Sequence, residues 1–247
     1  MGYILVIFLV AFLIGIIIII WSNTTIKFKK VVIESNKIDK DVDIVFVSDF
    51  HVGRYMKRRE LKKIISLINN IEGDYLLIGG DMVGIKPLKY YDDKELKEII
   101  DELKIKKRYF VDGNHDDYSL SLYDNFKILN DESVVLEDNI VLTGLKWMNE
   151  ECLDNKLDKK NFNILLSHYP DKVKEYSKID LALGAHSHGL QINLPFFRFH
   201  HKEKYTRGLH FLDENKNLYV NRGLGFSLLK VRFLSTREIV KIELRKC

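Results

Sequence analysis

The chain contains very little cysteine, and its cysteines form no recognisable pattern. Only Cys152 and Cys247 occur among its 247 residues, and neither belongs to a CxxC motif. A disulfide framework is therefore excluded, and cysteine leaves the redox compartment open. The sequence after residue 41 also lacks internal repeats and low-complexity segments. The roughly 220 residues that follow the N-terminal region suffice for one well-buried α/β domain.

Charge is absent from the first 26 residues. No Asp, Glu, Lys or Arg occurs from Met1 to Ile26, and the stretch from Tyr3 to Trp21 is almost wholly apolar. A run of this length can cross a bilayer as a helix, with Trp21 at the interface. A cleaved signal peptide would have a basic start and a small-x-small cleavage site, and a buried soluble helix would have a polar face. The segment has none of these, so residues 1–26 are predicted to form an uncleaved single-span membrane anchor.

The rest of the chain has no strong excess of either charge. Its net charge of +4 is modest and mixed in sign, which disfavours a partner that is a nucleic acid. Three lysines directly follow the anchor, so the positive-inside rule predicts that the folded domain lies on the cytoplasmic side. These lysines are Lys27, Lys29 and Lys30. The predicted segments are an anchor at 1–26, a polar linker at 27–41 and a folded domain at 42–247.

Strand-like and helix-like patterns alternate through the domain. Three apolar runs of strand length are separated by two segments in which apolar residues recur at helical spacing. This βαβαβ order predicts parallel strands with right-handed crossovers and with functional residues at the strands' carboxyl ends. The predicted fold class is α/β, with two packed mixed β-sheets flanked by helices. The predicted strands are 44–47, 75–78, 109–111, 140–145, 164–166 and 181–183, the predicted helices are 57–71 and 96–103, and the tail 231–244 is predicted to form closing antiparallel strands.

Polar motifs directly follow the apolar runs, and several of them offer paired metal ligands. Asp49 and His51 are two residues apart, so both point to one side if the strand stays extended through them. They then offer an oxygen and an imidazole to one cation. His186 and His188 have the same spacing and are predicted to face one cavity, and His168 supplies a further imidazole.

Two further motifs follow the second and third strands. Asp81 comes after two glycines that allow a tight turn, and a carboxylate there could bridge two ions. Asn114 is a weak metal ligand, so its presence suggests a site whose charge is kept low. His115 is followed by Asp116, which would stabilise an imidazolium that acts as a general acid.

Each of these motifs alone has an ordinary structural explanation, such as a polar turn or a helix cap. Chance does not readily place five of them after five apolar strands. Together they indicate two divalent ions about 3.5–4 Å apart, which can activate water and hold the oxygens of an in-line displacement. Two divalent cations carry more positive charge than Asp49, Asp81 and one hydroxide neutralise. The remaining positive charge favours binding of an anionic phosphate ester.

From Val42 to Ser235 the motifs resemble those of the calcineurin-like metallophosphoesterases. That family's signature is D-x-H, G-D, G-N-H-[DE], a lone H and G-H-x-H, and its fold is a four-layer sandwich. The resemblance implies that His115 contacts the phosphate and protonates the leaving oxygen, oriented by Asp116. It implies one ion held by Asp49, His51, Asp81 and His188, and a second held by Asp81, Asn114, His168 and His186.

A narrower likeness is to a bacterial membrane-associated subgroup, some of whose members cleave a lipid-linked UDP-sugar pyrophosphate. It rests on the hydrophobic N-terminus, on the motifs at 167–170 and 186–191, and on Gly223-Leu224-Gly225. Two positions depart from the usual pattern. Ala185 replaces the glycine before the histidine pair, and Leu190 replaces a second glycine before Gln191. These changes predict a narrower mouth of the site with every ligand retained.

The predicted function is a membrane-anchored, dinuclear-metal phosphoesterase that uses metal-activated hydroxide on a phosphoester or pyrophosphate, including one on a lipid-linked substrate. The ligand types suit manganese, iron or zinc equally. Two alternatives remain open: a non-catalytic metal-binding scaffold of the same fold, and a phosphodiesterase acting on cyclic nucleotide or nucleic acid. Other candidate substrate or lipid contacts are Arg54, Arg222, Phe196-Phe197-Arg198-Phe199, His200-His201, Lys57-Arg58-Arg59 and the basic run 104–108.

Overall fold

The computed structural model describes residues 2–53, 55–84, 91–116, 121–148, 151–194, 203–227 and 229–247. Three α-helices, three short 3₁₀ helices and twelve strands lie in these ranges. The α-helices are α1 (Gly2–Thr24), α2 (Arg58–Asn69) and α3 (Asp93–Asp101). The strands are β1 (Ile26–Ser35), β2 (Val42–Val47), β3 (Tyr75–Ile78), β4 (Lys107–Phe110), β5 (Lys127–Ile128), β6 (Glu132–Glu137), β7 (Ile140–Gly144), β8 (Phe162–Leu166), β9 (Leu181–Gly184), β10 (Gly208–Asp213), β11 (Lys216–Val220) and β12 (Arg237–Lys246).

Helix α1 is a candidate membrane span. It is apolar along its length, and the part that would cross a membrane is not buried against the rest of the molecule. Its 23 residues correspond to about 34 Å of helix, enough for a hydrocarbon layer of about 30 Å.

The strands form two six-stranded mixed sheets. The first has the order β1-β12-β2-β3-β4-β5, and the second has the order β10-β11-β9-β8-β7-β6. Strands β2, β3 and β4 are parallel to one another, as are β7, β8, β9 and β11. One core cluster joins apolar residues from both sheets, so the sheets pack face to face. The two-sheet α/β prediction is confirmed.

The outer faces of the two sheets are covered differently. Helices α2 and α3 cover the first sheet, with an apolar stripe on each that faces the core. In α2 the stripe is Leu61, Ile64, Ile65 and Ile68, at the predicted helical spacing. Among the described residues, short 3₁₀ turns at Leu153–Lys156 and Pro170–Glu175 cover the second sheet in place of long helices.

The segment predicted as a polar linker at 27–41 is instead largely a strand, and this prediction is corrected. Strand β1 runs parallel to β12 in full register from Ile26 to Ser35. Val31 and Ile33 point into the core between the sheets, while most of the lysines stay on the surface. The strand was not predicted because lysines interrupt its apolar residues. Its hydrogen-bond partner, β12, lies at the other end of the sequence.

The tail is also simpler than predicted. Instead of several closing antiparallel strands over 231–244, it has the single strand β12, which pairs antiparallel to β2 and parallel to β1. The residues before it form loops. This placement puts β12 inside the first sheet, where both of its edges are hydrogen-bonded.

Candidate metal centre

The predicted ligands come from loops at the carboxyl ends of neighbouring strands. Strands β2, β3 and β4 supply Asp49, His51, Asp81, Asn114 and His115, and strands β8 and β9 supply His168, His186 and His188. Because the two sheets pack face to face, these loops meet at one edge of the sandwich. Backbone hydrogen bonds join the first two loops, from Asp49 N to Gly80 O and from His51 N to Asp81 O.

Five of these side chains sit on backbone with positive φ. The φ angles are 49° at Asp49, 47° at His51, 53° at Asp81, 68° at His186 and 50° at His188. This left-handed region is uncommon for residues other than glycine, and such strain concentrates at functional sites. The strand therefore does not stay extended through Asp49 and His51, which was the condition for the predicted shared face, although both side chains still meet in one cluster. Strand β2 ends at Val47, and the turns after it aim the side chains.

One cluster consists of Asp49, His51 and His188, all buried. The Nε2 atoms of His51 and His188 are 2.9 Å apart, and Asp49 Oδ1 is 3.5 Å from His188 Nε2. Asp49 Oδ2 accepts a hydrogen bond from the Ser48 hydroxyl, but buried Oδ1 has no hydrogen-bond partner among the described residues. An unpaired buried carboxylate oxygen is costly, so this atom is a natural cation ligand.

A second cluster consists of Asp81, His168 and His186. Asp81 Oδ2 lies 3.4 Å from His168 Nε2, and His168 Nε2 lies 3.1 Å from His186 Nδ1. Asp81 Oδ2 is also 3.5 Å from His51 Nε2, in the first cluster. Its carboxylate therefore lies between the two clusters.

Hydrogen bonds on the far side of two rings select the nitrogen that is left for a ligand. His168 Nδ1 is 2.7 Å from the Gly79 carbonyl, an acceptor, so Nδ1 carries the proton and Nε2 faces the cluster. His186 Nε2 is 3.4 Å from a Glu203 carboxylate oxygen, which leaves Nδ1 directed at the cluster. Partners of this kind fix the tautomer and the orientation of metal-binding histidines.

Burial and mutual charge set the protonation of the histidines. Burial lowers the pKa of His51 and of His186 to about 4, and lowers that of His188 well below its usual value. These rings are therefore neutral near pH 7, the form that binds a metal ion. Burial also opposes the charge on His168, but the Asp81 and Asp49 carboxylates and the Gly79 carbonyl together outweigh burial and raise the pKa of His168 to about 10.

The donor set fits divalent metal ions. Imidazole nitrogens and carboxylate oxygens converge on each side of Asp81, and mixed nitrogen and oxygen ligation suits first-row transition metals and zinc. The unpaired Asp49 oxygen and the two facing Nε2 atoms have no better partner among the described residues.

His115 and Asn114 lie on the open side of the clusters. Asn114 is exposed, and His115 is partly buried, with its backbone N–H donating to Asp81 Oδ1 at 2.9 Å. The His115 ring packs edge-on against that of His51, with 5.2 Å between ring centroids. A ligand atom of His115 also lies within 4.8 Å of ligand atoms on His51 and Asp81.

Asp116 has different partners from those predicted, and the expectation that it orients His115 is corrected. Among the described residues its carboxylate accepts five hydrogen bonds, none of them from His115. The donors are the backbone N–H groups of Asp81, Met82, Val83 and Gly113 and the hydroxyl of Tyr123. Asp116 therefore ties the loop after β3 to the loop after β4.

An open cleft of about 770 Å³ leads to the clusters. Ligand residues form its floor, and a second group of residues forms its rim. Arg222 is not among the described residues that line it and instead forms an ion pair with Glu238. The rim residues are Ser187, Gln191, Ile192, Glu203, Ser227 and Leu229.

The remaining sequence candidates have mixed outcomes. Arg54, Phe196-Phe197-Arg198-Phe199 and His200-His201 lie outside the described residues. Arg58 of the first basic run forms an ion pair with Glu95. Arg108 of the second run is buried and donates to the carbonyls of Leu103 and Ile105, so it is not free to meet lipid.

The two positions that depart from the resembled subgroup differ in strain. Ala185 is buried and has no positive φ, so its methyl group is accommodated in the turn. Leu190 has a φ of 56°, a conformation that glycine adopts more easily. The backbone therefore keeps the glycine-like shape despite the leucine.

Two groups of residues hold the loops of the site in place, and the sequence analysis did not assign this role to either. The Gly223-Leu224-Gly225 loop donates backbone hydrogen bonds to the carbonyls of Ser48 and Asp49. Arg232 is fully buried and donates to the carbonyls of His188, Gly223 and Gly225. The glycine pair was a visible signal, whereas nothing in the sequence sets Arg232 apart from other arginines.

Comparisons with known proteins agree with this geometry. A family model described as calcineurin-like phosphoesterase matches residues 42–190. An uncharacterised metallophosphoesterase of Helicobacter pylori is 32% identical over 241 residues, which cover 88% of this chain and 64% of that protein. The chain thus spans a little under two thirds of that relative.

Two other relatives have informative names. A transmembrane protein with metallophosphoesterase domain from Danio rerio is 25% identical over 234 residues, covering 82% of this chain and 53% of that protein. The UDP-2,3-diacylglucosamine pyrophosphatase LpxG of Chlamydia muridarum is 34% identical over 151 residues, covering 53% of this chain and 45% of that protein.

Proposed function

This chain belongs to the calcineurin-like phosphoesterase family, and we propose that it is a metal-dependent phosphoesterase, that its two side-chain clusters hold two divalent cations, and that it hydrolyses a phosphoester or pyrophosphate bond. The observation that carries the proposal is the position of Asp81 between the clusters. The ion on one side would bind Asp49, His51, Asp81 and His188. The ion on the other side would bind Asp81, Asn114, His168 and His186.

The chain's own residues divide the work between binding and proton transfer. A pair of divalent cations supplies Lewis acidity and an activated water at such a site. Asn114 and His115 line the cleft where a phosphate would enter. His115 donates a proton to the leaving oxygen as its bond to phosphorus breaks and a water oxygen bonds to phosphorus. The leaving group of an ester then departs as a neutral alcohol, and that of a pyrophosphate departs with one negative charge fewer.

The proposal includes a membrane anchor and a lipid-linked substrate. Helix α1 has the length and composition of a span, and a relative named as transmembrane supports an anchored protein. The lysines after the span favour a cytoplasmic domain by the positive-inside rule. A lipid-linked phosphoester or pyrophosphate fits an anchored enzyme, and the name of the Chlamydia muridarum relative supports this class.

The experiment uses the full chain in detergent, loaded in turn with manganese, iron or zinc, and tests His115→Ala and Asp81→Asn. The substrates are an aryl phosphomonoester, an aryl phosphodiester, a lipid-linked nucleotide sugar, a cyclic nucleotide and an oligonucleotide. Loss of one proton donor is expected to lower kcat about 10²–10⁴-fold in His115→Ala. Metal content, measured by elemental analysis, should stay near wild type in that variant and fall in Asp81→Asn.

Asp101→Asn, at the exposed end of α3, is the matched control and should retain both activity and metal. A wild-type protein that binds metal but hydrolyses none of the substrates, with His115→Ala indistinguishable from it, would support the scaffold alternative. Turnover of only the cyclic nucleotide or oligonucleotide would instead identify the other phosphodiesterase class.

A further inference from the structure

The end of the candidate span is hydrogen-bonded to a loop of the folded domain. Asn23 Oδ1 accepts from the Arg232 backbone N–H at 2.6 Å, and Asn23 Nδ2 donates to the Lys230 carbonyl at 3.4 Å. Ser22 beside it is fully buried. The loop at 230–232 therefore lies against the last turn of α1.

This contact fixes the height of the loop relative to a bilayer. The polar residues Ser22, Asn23 and Thr24 end an otherwise apolar helix, so in a membrane they lie at its surface. The Lys27 ammonium lies 5.0 Å from the centre of the Trp21 ring, an amphipathic pair typical of that layer. Residues that contact Asn23 lie at the same level.

The same loop forms part of the rim of the metal-centre cleft. Leu229 lines the cleft, directly precedes Lys230, and has 58% of its surface exposed. Ile192, which also lines the cleft, is 36% exposed. Exposed apolar side chains beside a charged floor suit a ligand with one polar and one apolar end.

Hydrogen bonds hold this rim in shape. Gln191 Nε2 donates to the Leu229 carbonyl at 2.7 Å, and Gln191 Oε1 accepts from Ser227 N at 3.0 Å. The backbone of Ile192 bridges to that of Phe233. These contacts connect the loop that carries Leu229 to Gln191 and Ile192, which closely follow His188 in the sequence.

We propose that the mouth of the cleft opens onto the membrane interface and that Leu229 and Ile192 contact the acyl chain of a lipid whose phosphate reaches the metal centre. This inference rests on the proposed function and adds where the substrate enters. The site then takes its substrate from the bilayer surface, because the apolar rim and the end of the span share one level.

The first test compares Leu229→Asp with Phe211→Asp in the full chain. Phe211 on β10 is 78% exposed and is not among the residues that line the cleft, so it is a matched control. The measured quantity is the ratio of kcat/KM for an acylated lipid pyrophosphate in mixed micelles to that for a soluble aryl phosphodiester. Loss of the contact between the leucine side chain and the acyl chain should lower this ratio about 10-fold or more in Leu229→Asp. Phe211→Asp should keep the wild-type ratio, and an unchanged ratio in both variants would overturn the proposal.

A second measurement does not depend on catalysis. A polarity-sensitive fluorophore is attached to Leu229→Cys or Phe211→Cys, with the exposed Cys152 and Cys247 replaced by serine. The labelled chains are placed in phosphatidylethanolamine and phosphatidylglycerol vesicles brominated in the upper acyl chain. Quenching confined to the probe at 229 supports the proposal, and equal or absent quenching at both positions contradicts it. A wild type inactive on every substrate would remove the proposed function while leaving this readout intact.

Discussion

At the scale of single residues, the metal centre depends on side chains held on strained backbone. Asp49, His51 and Asp81 all have positive φ, and each would relax to a commoner conformation if its surroundings allowed it. Neighbouring groups prevent this. The 223–225 loop packs against Asp49, and Asp116 binds the backbone of the turn that carries Asp81. The geometry of the ligands is therefore set by residues that bind no metal.

Gly223→Ala tests this support. Gly223 has a φ of 71°, and a Cβ added there would lie 2.7 Å from Asp49 Cβ. The substitution should displace Asp49 and lower the metal content of the purified protein at least several-fold. Gly208→Ala is the control, because Gly208 has a φ of 77° but its nearest neighbour would be Lys29 Nζ at 4.0 Å. It should cost only about 1–2 kcal/mol of backbone strain and keep the metal.

Asp116→Asn tests the carboxylate that joins two loops. An amide group replaces one acceptor oxygen with a donor, so some of its buried N–H partners lose their hydrogen bonds. We expect a loss of roughly 2–4 kcal/mol in the free energy of unfolding of the metal-free protein, measured by urea denaturation. Asp124→Asn, whose side chain is 71% exposed, should change it by less than about 0.5 kcal/mol. Equal effects of the two substitutions would contradict this role of Asp116.

At the scale of the elements, β1 links the candidate span to the sandwich. It has one buried and one exposed side, although its sequence is rich in lysine. Among the described residues β1 pairs only with β12, so it is an edge strand there, and its inward side chains Val31 and Ile33 pack in the core between the sheets. The strand is thus a packed part of the folded domain as well as a connection to helix α1.

Val31→Asp and Val32→Asp distinguish a packed strand from a linker. Val31 is 6% exposed and belongs to the core between the sheets, whereas Val32 is 46% exposed. Burying a carboxylate at position 31 should lower the free energy of unfolding by about 3 kcal/mol or more, while the change at 32 should cost less than about 1 kcal/mol. Thermal or urea unfolding of the two variants measures the difference. Similar small effects at both positions would restore the linker interpretation.

Most of the strands that could be predicted from the sequence are buried on both faces. Strands β3 and β9 are continuous apolar runs, and such runs are visible in the sequence. Strands β6 and β10 were missed because most of their side chains are exposed or half-buried, so no apolar run marks them. Their hydrogen bonds come from neighbouring strands, which the local sequence does not reveal.

The candidate site follows the same logic. Histidine and aspartate ligands act through their own side chains, so their types and spacing are visible in the sequence. Most hydrogen-bond partners of Asp116 and Arg232 are backbone N–H and carbonyl groups, which nearly every residue has. No sequence pattern distinguishes such partners, and for that reason the role predicted for Asp116 was wrong and Arg232 was missed.

At the scale of the whole molecule, the candidate metal centre lies where the two sheets meet. Asp49, His51 and Asp81 come from the first sheet, and His168, His186 and His188 come from the second. Neither sheet alone supplies a complete ligand set. Metal binding should therefore stabilise the packing of the sheets as well as the loops.

Metal binding should also release protons. The pKa of His168 is raised to about 10, so at pH 7 this ring is protonated before a metal arrives. Burial raises the pKa of Asp49 to about 7, so that carboxyl is partly protonated as well. We expect release of about one to two protons at pH 7 and an affinity that rises with pH. Calorimetric titration in two buffers of different ionisation enthalpy measures the number.

His210→Asn is the control for this titration. His210 lies on β10, where its ring bonds the Arg207 carbonyl, away from both clusters. Its replacement should leave the proton count unchanged. Equal heats of metal binding in the two buffers would contradict the proposed proton release.

The position of β12 has a consequence for biosynthesis. This strand lies between β1 and β2, and Arg237 pairs with Ile26. While a ribosome makes the chain, β1 follows the span out of the exit tunnel long before its partner is translated. Its lysines help keep this unpaired edge from joining strands of other nascent chains. The first sheet therefore closes only after translation of residues 237–246.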